Sequence, residues 1–309
     1  MPPAISYPQD TMATTIYSQI GSNKTKTWTI MVLFVLFFVG VSYVLGQATG
    51  YGLSWAGIML IISGLISFIS YYNSDKLVLA ISGAKEADKK TYRTLYTTIE
   101  NLSIGAGLPM PKVYIVEDIA PNAFATGRDP KHAAVAATTG LLEKLNKVEL
   151  EGVIAHELSH VGNYDTRLMG IVSILVGSIA ILADVFLRST FWGGDRDRDS
   201  RSNQIFMIIG IIAAILAPIA ATLIQLAVSR RREYLADAAG ALLTRYPDGL
   251  ADALLKIAAD PRPLKHASNA TAHFYIESPF KGKAAKSFLT GLFSTHPPVA
   301  DRVRILRGM

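Results

Sequence analysis

The chain has 309 residues, half of them apolar and only 17% charged, too oily for an ordinary soluble domain and too charged to lie in a membrane throughout. Its apolar residues must therefore be gathered into blocks. It carries no cysteine, which excludes disulfides and thiolate ligands, so any bound metal must be held by histidine and carboxylate.

Residues 1–27 are polar, rich in Ser and Thr, and read as a loose tail. From Thr27 to Ser74 there is no charged residue, and the run is broken only by the turn-like GQATGYG, Gly46 to Gly52. Residues 28–72 are thus expected to form a transmembrane hairpin. Its spans, Trp28 to Leu45 and Leu53 to Tyr72, are each near the ~20 residues a bilayer core needs. A cleaved signal sequence after Lys24 and Lys26 fits less well, because the run is long for a signal core and a second span follows at once.

Residues 73–167 predict a compact α+β unit. Tyr92, Leu95, Tyr96, Ile99 and Leu102 recur at helical spacing ahead of Gly105 and Gly107, a helix with a glycine stop. PKVYIVE and AVAATTGLL read as short strands joined through PNAFATGRDPKH. EKLNKVELEGVIAHELSHVGNYD then reads as a helix whose apolar stripe is Leu150, Val153, Ile154, Leu158 and Val161. On it His156 and His160, at i and i+4, lie about 40° apart, so both imidazoles can reach one ion. Glu157, rotated by about 100°, is placed to hold a water there rather than to act as a ligand. This is the H-E-x-x-H arrangement of metalloproteases, with Glu157 as general base.

Two further blocks, Leu168 to Leu187 and Ile205 to Val228, predict a second transmembrane hairpin over residues 168–228. A buried core helix is the alternative for any single block, and four blocks in one chain argue against it. Asp184, near the end of the third block, reads as an interfacial partner of Arg188 rather than as part of a transport path. Lys24, Lys26, Lys76, Arg167 and Arg230 to Arg232 flank the spans on one side. The turn between the first two spans has no basic residue, and Arg188 to Gln204 mixes four arginines with three aspartates. Both termini and the middle segment are therefore expected in the cytoplasm.

Residues 229–309 hold 13 Lys/Arg against 7 Asp/Glu, in a chain of formal net charge +6. No nucleic-acid motif accompanies them, so contact with anionic lipid heads of the bilayer is expected and nucleic acid is not. In SRRREYLADAAGA, Glu233 and Asp237 again stand at i and i+4, beside Ala236, Ala238, Ala239 and Gly240, which permit close helix approach. A catalytic zinc takes three protein ligands and an open position. Glu233 is the candidate third ligand, and Asp237 the carboxylate that fixes the tautomer of a liganding imidazole. A solvated face paired with Arg230 to Arg232 is the plainer alternative. His296 in STHPPVADRV, His273 in TAHFYI and Arg230 are candidates to stabilise an oxyanion, each with a plain structural role as its alternative. Asn122 in NAFATG is the candidate to meet an extended substrate at an exposed strand edge, with a plain structural hairpin as its alternative. His132 and His266 read as surface residues.

HELSH followed by SRRREYLAD, with NAFATG upstream and THPP near the end, resembles the HtpX-like branch of the M48 membrane metallopeptidases, from about Trp28 to the carboxyl terminus. The resemblance implies one zinc ion per chain on His156, His160 and Glu233, with Glu157 as base. It also implies an ATP-independent endopeptidase of protein quality control, acting on misfolded or damaged membrane proteins at the cytoplasmic face of the plasma membrane. The expected fold is mostly α: four transmembrane helices plus a cytoplasmic zincin-like α+β protease domain divided between residues 73–167 and 229–309. Two rivals stand beside it. An intramembrane protease of the site-2 type would place its motif inside a span, which the polar flanks EKLNKVELEG and NYDTR oppose. A membrane scaffold or transporter with a structural metal would show four protein ligands and no base.

Overall fold

The structure, a computed structural model, describes residues 16–49, 53–192, 230–266, 271–279 and 297–309. The fourth apolar block, Ile205 to Val228, and His296 lie outside the described residues.

Helices α1 (Ile16–Thr49) and α2 (Leu53–Ile81) have 34 and 29 residues, about 50 and 44 Å at 1.5 Å per residue and so longer than a ~30 Å hydrocarbon core. Within them Ile20–Tyr43 and Gly57–Ile81 are long and apolar enough to cross a membrane. Trp28, Leu33 and Leu36 on α1 and Ile61, Leu65 and Phe68 on α2 are exposed. The core helix of a soluble protein would bury such side chains, whereas lipid accepts them. The inner stripe of α1, Ile30, Phe34 and Phe38, packs on Leu168, Ile171, Val172 and Leu175 of α6 (Asp165–Trp192), a single helix that contains the third apolar block. The expected tail is only partly a tail: α1 begins at Ile16, and Asn23 and Thr27 are buried.

A four-stranded sheet follows, of β1 (Ala84–Glu86), β2 (Lys112–Val116), β3 (Ala123–Gly127) and β4 (Ala133–Thr138) in the order β1-β2-β4-β3. β2 and β4 are parallel and the outer pairs antiparallel. Two details depart from the sequence reading. PNAFATGRDPKH is more than a linker, because it contains β3. AVAATTGLL is half strand, because the Thr138 hydroxyl accepts from Leu141 N–H and starts helix α4 (Thr139–Lys144). Helix α3 (Arg93–Gly105) ends as expected: Gly107, at φ +66°, takes the left-handed conformation that lets Leu108 N–H reach the Ser103 carbonyl.

The motif helix α5 (Lys147–Gly162) begins with a capping box, in which the Asn146 side chain accepts from Glu149 N–H and Glu149 accepts from Asn146 N–H. It lies at the centre of the α+β unit, packed on the sheet, on α3, and on helices α7 (Arg230–Thr244) and α8 (Pro247–Ala258). Helix α9 (Val299–Leu306) closes over α7 and α8. Two glycines set how close these helices come: a Cβ on Gly152 would lie 2.7 Å from the Leu250 nitrogen of α8, and one on Gly240 of α7 would lie 3.1 Å from the His156 nitrogen.

Candidate metal centre

One turn of α5 separates His156 and His160, and their Nε2 atoms stand 3.2 Å apart. Close packing of α7 on α5 at Gly240 brings in Glu233, whose Oε2 is 3.7 Å from His156 Nε2 and whose Oε1 is 3.7 Å from His160 Nε2. The three residues are buried, and each offers a ligand atom within 4.8 Å of the others. Donors about 2.0–2.1 Å from one tetrahedral ion stand about 3.3–3.4 Å apart, close to this spacing.

The outward nitrogens of both imidazoles are occupied. Asp237 Oδ1 lies 2.9 Å from His156 Nδ1, and Asp165 Oδ2 lies 3.0 Å from His160 Nδ1. A carboxylate there accepts an Nδ1–H, so each Nε2 turns a lone pair toward the other. Two such lone pairs beside a carboxylate repel one another unless something cationic lies between them. From the protein's own groups, burial lowers His156; burial also opposes charge on His160, but Glu233 and Asp165 outweigh it and push His160 up to about 9. The pair thus holds a proton where a divalent ion would displace it. Two nitrogens and one carboxylate, with no thiolate available, fit zinc.

Glu157, also buried, shares the site. Burial pushes its carboxyl up to about 7, Glu233 adds to the rise, and His160, the Ala125 N–H and Arg302 oppose it.

The sequence reading missed the side chains behind Asp237 and His160. Arg302 on α9 is fully buried and grips Asp237 with two hydrogen bonds, Nε to Oδ2 at 2.8 Å and Nη2 to Oδ1 at 2.7 Å, while Nη1 donates to the Ile276 carbonyl at 3.0 Å. Burial works against charge on Asp237, but Arg302 and His156 outweigh it and hold the carboxyl well below the usual carboxylate range. The signal was present: Arg302 falls in a helical stripe with Val299, Val303 and Leu306, an odd place for a cation. Asp165 had no such signal. It comes back to His160 because Tyr164 adopts φ 61°, a left-handed conformation unusual for a bulky residue. Arg232 Nε stands 3.2 Å from Asp165 Oδ1.

The remaining candidates fall elsewhere. Asn122 Nδ2 donates to the Glu277 carbonyl at 3.0 Å, and next to it Ile276 N–H donates to the Ala123 carbonyl at 3.1 Å. β3 is an edge strand, but its outer edge is held rather than exposed: Ala125 N–H serves Glu157, and the Gly127 carbonyl accepts from the Thr166 hydroxyl at 2.9 Å. His273 Nε2 lies 3.1 Å from the Ser173 hydroxyl and 3.4 Å from the Met169 carbonyl, both on α6. Arg230 is exposed at the start of α7. His132 pairs with Asp129 at the surface, as expected of a surface residue.

A crystal structure of Ste24p from S. mikatae aligns over 94% of this chain and 67% of its own, with a TM-score of 0.49 and 15% identity. Residues 89–309 match peptidase family M48. The protease HtpX homolog of Tropheryma whipplei (strain Twist) is 48% identical over 95% of this chain and 98% of its own length. That of Dictyoglomus thermophilum is 46% identical over 96% and 95%. With a family match across most of the chain and near-full-length relatives, the chain belongs to peptidase family M48, as an HtpX-homologous membrane metallopeptidase.

Proposed function

We propose that the protein is a zinc endopeptidase that cuts unfolded or damaged membrane polypeptides at the cytoplasmic face of the membrane. The observation that carries this reading is the convergence of His156, His160 and Glu233 within 4.8 Å, with Glu157 in the same buried site. Those three residues would hold the zinc, which when bound polarises a scissile carbonyl and lowers the pKa of a coordinated water. Glu157, buried beside those three residues, accepts the water proton and returns it to the leaving amine. Asp237 and Asp165 keep the imidazoles in the tautomer that binds the ion. Arg302 keeps Asp237 ionised.

In this reading residues 28–72 and 168–228 are the two membrane hairpins, and 73–167 and 229–309 together form the protease. Packing of α7 on α5 joins those two halves at the metal centre. Enclosure of α5 by the sheet, α3, α7 and α8, away from the exposed apolar faces of α1 and α2, favours a membrane-apposed site over an intramembrane one. Among the described residues the cluster has three members, which favours catalysis over a structural tetrahedral metal. A substrate strand pairing with β3 would first displace Ile276 and Glu277 from Ala123 and Asn122. His296, His273 and Arg230 stay the candidates for oxyanion stabilisation in this reading.

The test is cleavage of casein and of an unfolded membrane protein by the purified chain, with and without added zinc, beside Glu157→Gln. Zinc content should survive the substitution and turnover should not. Hydrolysis retained by Glu157→Gln removes Glu157 from the role of base.

A further inference from the structure

We propose that Asn23, on the first membrane helix, is a positioning residue of the metal centre, holding Asp165 so that His160 stays aimed at the ion. The inference rests on the metal-centre reading above. Asn23 lies on α1 in the segment that composition marks only as a polar tail, yet it is 1% exposed. Its Nδ2 donates to Asp165 Oδ1 at 2.8 Å and to the Asn163 carbonyl, at the end of α5, at 2.9 Å. Its Oδ1 accepts from Arg232 Nη1 at 3.3 Å. Two acceptors on one side and a guanidinium on the other fix which way the amide points. With Asn23 and Arg232 Nε both on Oδ1, the other oxygen of Asp165 is turned to His160 Nδ1 at 3.0 Å.

A buried amide is costly unless it is hydrogen-bonded, and every one of these bonds goes to a group beside the metal ligands. Further along the same face, Thr27, Ile30, Phe34 and Phe38 are buried as well. The face therefore changes from apolar packing on α6 to polar contact with the site within two turns. Lys24 adds a second contact from α1, its Nζ lying 4.5 Å from the Tyr164 ring centroid, on the strained residue that precedes Asp165. Asp165 is thus the node where α1, α6 and α7 meet. A shift of α1 against α6 by about an ångström would break hydrogen bonds of this length and release the carboxylate that orients His160.

The experiment uses the full-length protein in lipid nanodiscs and measures zinc affinity by chelator competition, the visible spectrum of the cobalt-substituted protein, and the unfolding midpoint. Asn23→Ala should weaken zinc by roughly tenfold, the lower end of what loss of an outer-shell partner costs. Asn23→Asp keeps the size but cannot donate to Asp165, and should bind zinc no better than Asn23→Ala. If Asn23 acts through Asp165, adding Asn23→Ala to Asp165→Asn should cost little beyond Asp165→Asn alone. Thr25→Ala, exposed on the same turn, should match the parent. The proposal is overturned if both Asn23 variants lower the unfolding midpoint but leave zinc affinity and the cobalt spectrum unchanged, or if the two substitutions add in full. Should Asn23→Ala fail to fold, Asn23→Asp against the parent gives the same decision. A parent chain that binds no zinc overturns the metal-centre reading itself, separately and first.

Discussion

Arg302 shows how much of this site depends on residues that never touch the ion. Removing its guanidinium leaves Asp237 buried without its cation, a change that typically costs about 3–5 kcal/mol. Arg302→Met should therefore lower the unfolding midpoint steeply. Arg302→Lys, which keeps the charge but not the two-pronged grip, should recover part of the stability while zinc binds roughly tenfold or more weakly. Thermal unfolding with chelator competition checks both, and parental zinc affinity in Arg302→Lys would show that the grip on Asp237 is immaterial. Away from the site, Asp260 is held well below the usual carboxylate range by hydrogen bonds from Arg262 and Lys144. A depressed carboxyl stabilises the fold fully above the unfolded value of about 4 and loses that contribution as pH falls toward the folded one. Its cations are partly exposed, so Asp260→Asn should cost about 1 kcal/mol at pH 7. That cost should shrink as the pH drops below about 4 in denaturant titrations.

Among the elements, α5 carries the greatest demands, since it must hold His156, Glu157, His160 and the protein core at once. Its backbone meets α8 at Gly152 and α7 at Gly240, where an added Cβ would lie 2.7 Å and 3.1 Å from main-chain nitrogens. Gly152→Ala should cost about 1–3 kcal/mol, because the obstruction is backbone and cannot rotate away. Gly240→Ala should cost less stability but lower zinc affinity, because it pushes α7, and Glu233 with it, from His156. Unfolding midpoints and zinc titrations of the two variants separate these outcomes. The sheet shows what local pattern conveys and what it does not. β2 and β4 are legible because Val113, Ile115, Val135 and their neighbours make short β-type runs. β3 hides in a Gly- and Pro-flanked stretch whose strand character comes from pairing with β4 and from Glu157, Thr166 and Ile276 on its other edge.

For the molecule as a whole, the metal centre is assembled where helices from different parts of the chain meet, one of them the candidate membrane helix α1. Asp165 opens α6, Arg232 and Glu233 open α7, and Asn23 sits on α1 beside Lys24 and Lys26. Stripping lipid should loosen these helices first, so harsh delipidation should release zinc before the soluble unit melts. Following zinc with a chelating dye alongside circular dichroism tests the order, and simultaneous loss of both signals would count against this coupling.

The HELSH histidines, Glu157 between them and the helix that carries them follow from the sequence alone, because helical periodicity is local and i, i+4 spacing puts two imidazoles on one face whatever surrounds them. The apolar runs of α1 and α2 are equally local, since lipid selects for length and composition. Glu233 and Asp237 are recognisable by their own spacing, but that they face His156 and His160 is a matter of packing at Gly240. The holding residues, Asp165, Arg302, Arg232 and Asn23, were decided only by tertiary structure. Their partners are far away in the chain, and hydrogen bonds between buried groups depend on distances that no pattern of neighbours encodes. The same long-range contacts bring part of the polar segment before the first span, Asn23 and Lys24, against Asp165 and Tyr164.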